Sequence, residues 1–126
     1  MYCTMANMLA QAKAGGTGVP AFNIHALEVV PVMARTAAEL HTPVILQVSV
    51  STAKYIGFPL LAAVVRTIAE ELEIETALHL DHADKLEDLE AALDGGFTSV
   101  MYHGSLLPLE ENIQKTQKAV ALARDS

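Results

Sequence analysis

A single cysteine is all that this 126-residue chain carries. Cys3 therefore has no intrachain disulfide partner, and nothing calls for an oxidising compartment, so a cytoplasmic protein is expected. Basic residues are scarce as well. Eight Lys and Arg stand against fifteen Asp and Glu, a formal net charge of −7, and they form no cluster able to neutralise several phosphates. No nucleic-acid partner is expected on that ground. No window approaches the roughly eighteen uninterrupted apolar residues of a membrane span. The opening residues, Met1-Tyr2-Cys3-Thr4-Met5-Ala6-Asn7, lack a basic segment followed by a long apolar one. Neither a membrane association nor a secretory leader is expected.

What the chain does have is a core-forming composition, 52% hydrophobic with 18% charge, in a length that suits one domain over residues 1–126. Short apolar runs read as strands buried on both faces: Val19 to Asn23, Val44 to Val48, Thr76 to Leu80 and Thr98 to Tyr102. Between them, apolar residues recur at helical spacing. The sets are Leu27, Val30, Ala34 and Ala38; Leu61, Val64, Ile68 and Leu72; Leu86, Leu89 and Leu93; and Leu109, Ile113, Thr116 and Val120. An opening helix from about Thr4 to Ala14 is closed by Gly15 and Gly16, which supply a left-handed stop. Pro31 is the one misfit, since inside a helix it costs about 3 kcal/mol unless it falls in the first turn.

The order is one helix followed by four strand–helix units, which predicts an all-parallel α/β sheet with right-handed crossovers. Four such units make either a small doubly wound sheet or half of an eight-stranded barrel. A Gly-rich phosphate loop is missing after the first strand, where Asn23-Ile24-His25-Ala26-Leu27 stands, so the dinucleotide-binding form loses ground. Polar residues gather instead at the C-terminal ends of all four strands: Asn23; Gln47 and Ser49; Asp81 and His82; His103 and Ser105. In a barrel those ends converge on one mouth, where such folds keep their active sites.

These landmarks carry a resemblance. Val19-Pro20-Ala21-Phe22-Asn23-Ile24-His25, His41-Thr42-Pro43-Val44-Ile45, Leu78-His79-Leu80-Asp81-His82, and Gly96-Phe97-Thr98-Ser99-Val100-Met101 followed by Gly104-Ser105 resemble the class II, zinc-dependent ketose-bisphosphate aldolases. The likeness is to the tagatose- and fructose-bisphosphate branch and runs along essentially the whole chain. It implies the N-terminal half, (βα)4 preceded by a helix, of a TIM (β/α)8 barrel. It also implies reversible cleavage of a ketose 1,6-bisphosphate to dihydroxyacetone phosphate and glyceraldehyde 3-phosphate, with Zn2+ as Lewis acid. By this resemblance His82 matches a zinc ligand and Asp81 the acid/base that handles the C4 hydroxyl proton. Asn23 and Ser49 match positions that touch substrate.

Plainer roles suit the other polar residues. Asp84 and Glu87 read as a capping box for the third crossover helix. His79 reads as a hydrogen-bonded core histidine, His41 as a helix-end residue, and Lys54 and Tyr55 as exposed loop residues; His25 is left open between the mouth and an ordinary loop. Two departures from the family pattern stand out. His103 replaces an aspartate associated with a metal position, either through divergence or as a differently recruited ligand, and Leu106 replaces a histidine. The chain also stops at Ser126, before the further zinc histidines and phosphate loops that the resemblance implies. The expectation is a truncated half barrel, inactive alone, with an incomplete zinc site and exposed edges that favour a homo-oligomer or association with a missing half. A non-catalytic remnant or assembly partner of an aldolase, and an unrelated small α/β binding module, are the alternatives.

Overall fold

A computed structural model describes residues 1–125, and its element order follows the expected alternation with one addition. Helix α1 (Met5–Gly15) precedes β1 (Ala21–Asn23), α2 (Val29–Glu39), β2 (Val44–Ser49), α3 (Val50–Ile56), α4 (Phe58–Glu71), β3 (Thr76–Ala83), α5 (Leu86–Asp94), β4 (Ser99–Tyr102) and α6 (Leu109–Asp125). The sheet has the order β1-β2-β3-β4, and every neighbouring pair is parallel. Gly16 ends α1 at φ 66°, the left-handed stop expected there. Pro31 is the third residue of α2, counted from Val29. Its missing N–H belongs to the first turn, where no intrahelical acceptor exists, so the proline costs the helix nothing.

The two faces of the sheet are built differently. Helices cover one face, where Val44, Leu46, Val48, Leu78 and Leu80 are fully buried against Val30, Leu61, Val65 and Leu89. On the opposite face α1 covers only the N-terminal end, packing Met8 on Ile45 and Ala77. The rest of that face is polar and open. Strand parity explains this: Ile45, Gln47 and Ser49 point one way while Val44, Leu46 and Val48 point the other.

Several local expectations are corrected. Strands β1 and β4 are not buried on both faces: Ala21, Phe22 and Asn23 are exposed, and β4 is half-buried, because each strand has one unpaired edge and faces the open side. The segment after β2 is not a loop. Ser49 caps α3 by accepting from the Thr52 N–H, and the chain turns by 88° from α3 into α4 through Gly57 at φ 105°. Lys54 in α3 is accordingly no free loop residue but pairs with the buried Asp88 of α5 at 2.6 Å. The capping box at α5 is also absent: Lys85 occupies the N-cap with no side-chain bond, and Asp84 lies outside the helix. No single helix among the described residues is long and apolar enough to cross a membrane.

Candidate active site

The parallel register lines up four polar side chains in one row across the open face, because Asn23 pairs with Gln47, Gln47 with His79, and His79 with Ser99. One step closer to the C-terminal edge, Ser49 pairs with Asp81. Residues opposite one another in a parallel sheet share a face, so these six converge on the open side.

Hydrogen bonds join them. Gln47 Nε2 donates to Asn23 Oδ1 at 2.7 Å and to Asp81 Oδ2 at 3.3 Å, so a single amide ties β1 to β3. His79 Nδ1 bonds Ser99 Oγ at 2.7 Å, which gives the core histidine its partner. Burial pushes the His79 pKa down, with the nearby Asp81 carboxylate opposing the shift and His82 adding to it. The ring is thereby held toward its neutral form. Ser49 Oγ lies 3.2 Å from Ser51 Oγ and donates to Thr52 Oγ1 at 3.1 Å, forming a hydroxyl cluster at the N-terminus of α3.

At the edge of β3 the backbone departs from regular pleating. The β3–β4 register shifts between Leu80 and Ala83, and His82 takes φ 52°. A bulge with a non-glycine residue in the left-handed region re-aims a side chain at a cost in backbone strain. Here it brings His82 to His103, with Nδ1 to Nδ1 at 2.7 Å, while His82 Nε2 stands 3.6 Å from Asp81 Oδ1. His103 Nε2 in turn contacts Ser105 Oγ at 2.8 Å. The side chain of Asp81 is largely buried, whereas that of His82 is 57% exposed, so the imidazole is open to an incoming group.

All five residues singled out from the sequence, Asn23, Ser49, Asp81, His82 and His103, therefore lie at the same end of the sheet. Four of them fall into two groups, Asn23 joined to Asp81 through Gln47 and His82 joined to His103, while Ser49 bonds instead to Ser51 and Thr52 at the start of α3. Gln47 was legible as edge polarity but not as the link, a role readable from its parity with Ile45 and Ser49. Ser51, Thr52 and Lys54 were missed because α3 was missed. His25 is exposed beyond β1, outside these contacts.

Known proteins share this arrangement of chain. Residues 3–126 match the family of class-II fructose-bisphosphate aldolases. The D-tagatose-1,6-bisphosphate aldolase subunit GatY of Klebsiella oxytoca is 41% identical over 117 residues, a match covering 93% of this chain and 41% of that protein. Among solved structures, the YdjI aldolase of Escherichia coli superposes with a TM-score of 0.90 at 22% identity, over 99% of this chain and 47% of its own. The fructose-bisphosphate aldolase of Campylobacter jejuni gives 0.78 at 24% identity, over 93% of this chain and 42% of its own. The chain thus spans less than half the length of these relatives, and its four-stranded parallel sheet is the N-terminal half of their barrel fold. A family match over residues 3–126, nearly the whole chain, places it in the class II fructose-bisphosphate aldolase family.

Proposed function

We propose that this chain supplies the Asp81 and His82 portion of an active site for metal-dependent aldol cleavage of a ketose 1,6-bisphosphate, of the tagatose or fructose type, in the cytoplasm. The observation that carries the reading is the Gln47 amide, which orients the Asp81 carboxylate beside His82 at the strand C-terminal edge. Asp81 Oδ2 receives the Gln47 N–H, and Oδ1, which stands 3.6 Å from His82 Nε2, is the oxygen that takes the proton from the C4 hydroxyl during cleavage and returns it on condensation. Asn23 uses its carbonyl on Gln47, and its amide N–H groups stay free to hold a substrate hydroxyl or phosphate oxygen. Ser49 offers its hydroxyl from the cluster at the start of α3.

Zinc is the metal that this reading calls for, and the donor chemistry fits in part. His82 supplies a neutral imidazole nitrogen, the kind of donor zinc takes. Among the described residues no group of three His, Cys, Asp or Glu side chains is placed to hold a metal, whereas catalytic zinc takes three protein ligands. His82 would hold the ion together with residues outside this set, and the bound metal supplies Lewis-acid polarisation of the substrate ketone. On this reading residues 1–126 form a partial aldolase domain that turns over only when the remaining barrel is present.

The test is reconstitution with the corresponding C-terminal half of the Klebsiella relative, assayed for triose phosphate release from tagatose and fructose 1,6-bisphosphates. The expected result is chelator-sensitive turnover that Asp81→Asn lowers by about 10²-fold or more in kcat. Turnover indifferent to chelator, or unaffected by Asp81→Asn, would sink the reading.

A further inference from the structure

We propose that Ser99 and His79 are positioning residues for Asp81: the Ser99 hydroxyl fixes the tautomer of His79, whose Nε2–H then steadies the Asp81 carboxylate. The inference rests on the aldol-cleavage reading above and deepens it by naming what restrains the carboxylate oxygen that Gln47 does not hold.

Strand geometry sets the placement. His79 and Asp81 are alternate residues of β3, so both side chains stand on the open face, and the parallel register sets Ser99 of β4 beside His79. Three contacts follow in series. Ser99 Oγ lies 2.7 Å from His79 Nδ1, His79 Nε2 lies 4.0 Å from Asp81 Oδ1, and Asp81 Oδ2 accepts from Gln47 at 3.3 Å. His82 Nε2 approaches the same Oδ1 at 3.6 Å, but its side chain is 57% exposed against 13% for His79. The buried ring, anchored through Nδ1, is the fixed one of the two.

Electrostatics decides the tautomer. Burial holds the His79 ring neutral, so one nitrogen carries a hydrogen and the other a lone pair. A lone pair on Nε2 would be repelled by the carboxylate oxygen it faces, whereas an N–H there is attracted to it. Nδ1 is therefore the acceptor, and the Ser99 O–H is the donor. A serine hydroxyl rotates freely enough to take that role without strain.

The 4.0 Å separation suits a positioning role. It is too long for a hydrogen bond, so Oδ1 keeps its lone pairs for the C4 hydroxyl proton while the Nε2–H dipole points at it. Rotation about Cβ–Cγ of Asp81 would carry Oδ1 out of line with that hydroxyl. The Gln47 amide restrains Oδ2 and His79 restrains Oδ1, which fixes the carboxylate plane from both ends. A misplacement of about 1 Å at such a group is enough to cost about 10²-fold in rate.

The first measurement is nitrogen NMR of the imidazoles in the 126-residue chain itself. His79 should show a protonated Nε2 and an unprotonated Nδ1, and Asp81→Asn should move its Nε2 resonance. A protonated Nδ1, or an Nε2 resonance indifferent to Asp81→Asn, would overturn the proposal whatever the chain catalyses. In the reconstituted barrel, His79→Gln and His79→Asn then separate the two ring nitrogens, because a Gln amide reaches the Nε2 position and an Asn amide the Nδ1 position. His79→Asn should lower kcat by about 10–100-fold with KM little changed, and His79→Gln should recover most of that loss. Equal losses in the two variants, or a loss carried by KM, would mean that the ring only fills space, and the proposal fails. If the unaltered chain gives no turnover on reconstitution, it is the aldolase reading that falls, and the tautomer and its response to Asp81→Asn judge this pair. Where a variant does not fold, the tautomer in the unaltered chain decides.

Discussion

Replacing Lys54 by methionine tests whether α3 is held over the mouth by a partly buried ion pair. Lys54 Nζ lies 2.6 Å from Asp88 Oδ1, with the lysine side chain 51% exposed and that of the aspartate only 8%. Because one partner sits in water, the pair falls between surface bridges, worth about 0–1 kcal/mol, and fully buried ones, whose breakage costs about 3–5 kcal/mol. Lys54→Met keeps the aliphatic stem but strands the Asp88 carboxylate, so the expected loss is about 1–3 kcal/mol, the cost of leaving a buried acceptor without its partner. Asp88 also stands in the first turn of α5, where the helix dipole favours an anion by about 0.3–1 kcal/mol. Asp88→Asn leaves the half-exposed Lys54 ammonium to water, so it should cost only about 0–1 kcal/mol plus that dipole contribution. The double variant should be less destabilised than the sum of the singles by about 1 kcal/mol or more, since the second substitution removes the stranded charge. Urea denaturation of all four chains, followed by circular dichroism, gives the cycle, and amide exchange across α3 shows whether the loss is local. Additivity within about 0.3–0.5 kcal/mol would refute the coupling. So would exchange at Val50–Ile56 unaltered by Lys54→Met.

Three further outcomes follow from single contacts. Tyr2 donates its hydroxyl to the Gly96 carbonyl at 2.6 Å, and burial pushes its pKa up to about 12, with Arg66 pulling it down. Because the folded value is raised, this stabilisation is full below the unfolded value of about 10 and is lost as pH rises through about 12. Tyr2→Phe should cost about 0.5–1.5 kcal/mol at neutral pH and flatten the alkaline limb of a melting-temperature profile; an unchanged limb would count against it. Gly104→Ala should destabilise by about 1–3 kcal/mol and displace the loop bearing Ser105, since a Cβ there runs into Asn112 Oδ1 and comes within 2.8 Å of the Tyr102 ring. Amide shifts at His103 and Ser105 would report the displacement, and a wild-type spectrum would contradict it. Leu61→Ala, at a fully buried position of α4, should cost about 2–5 kcal/mol in urea denaturation, and a loss under about 1 kcal/mol would mean that α4 does not pack on the sheet as described.

Periodicity of apolar residues was enough to read the order of helices and strands, the parallel sheet and the faces that α2, α4 and α5 bury, because burial on a strand or helix repeats with the backbone geometry; on α6 the expected face of Leu109, Ile113, Thr116 and Val120 is exposed, and Ala119 is buried instead. The strand ends were legible for the same reason: Asp81 and His82 follow an apolar run, and a polar residue there has nowhere to go but the open edge. The resemblance added the family, and the comparisons bear it out. Short-range patterning missed α3, since Val50–Ile56 is too short to show a face and its capping Ser49 looks like any strand-ending serine. It also misassigned Asp84, whose capping role depended on where β3 ended, and β3 runs through Ala83.

Only the tertiary structure decided which polar residues meet. Gln47 and Asp81 are far apart in sequence, and their hydrogen bond exists because β2 and β3 pair in one particular register. The bulge at His82 is equally invisible in the sequence, since it is a mismatch between two strands rather than a property of either. Local composition determines what each segment can bury, and so the fold. The contacts among Asp81, His82 and His103 depend instead on strand register and on one left-handed residue, both set by pairing between segments distant in the chain.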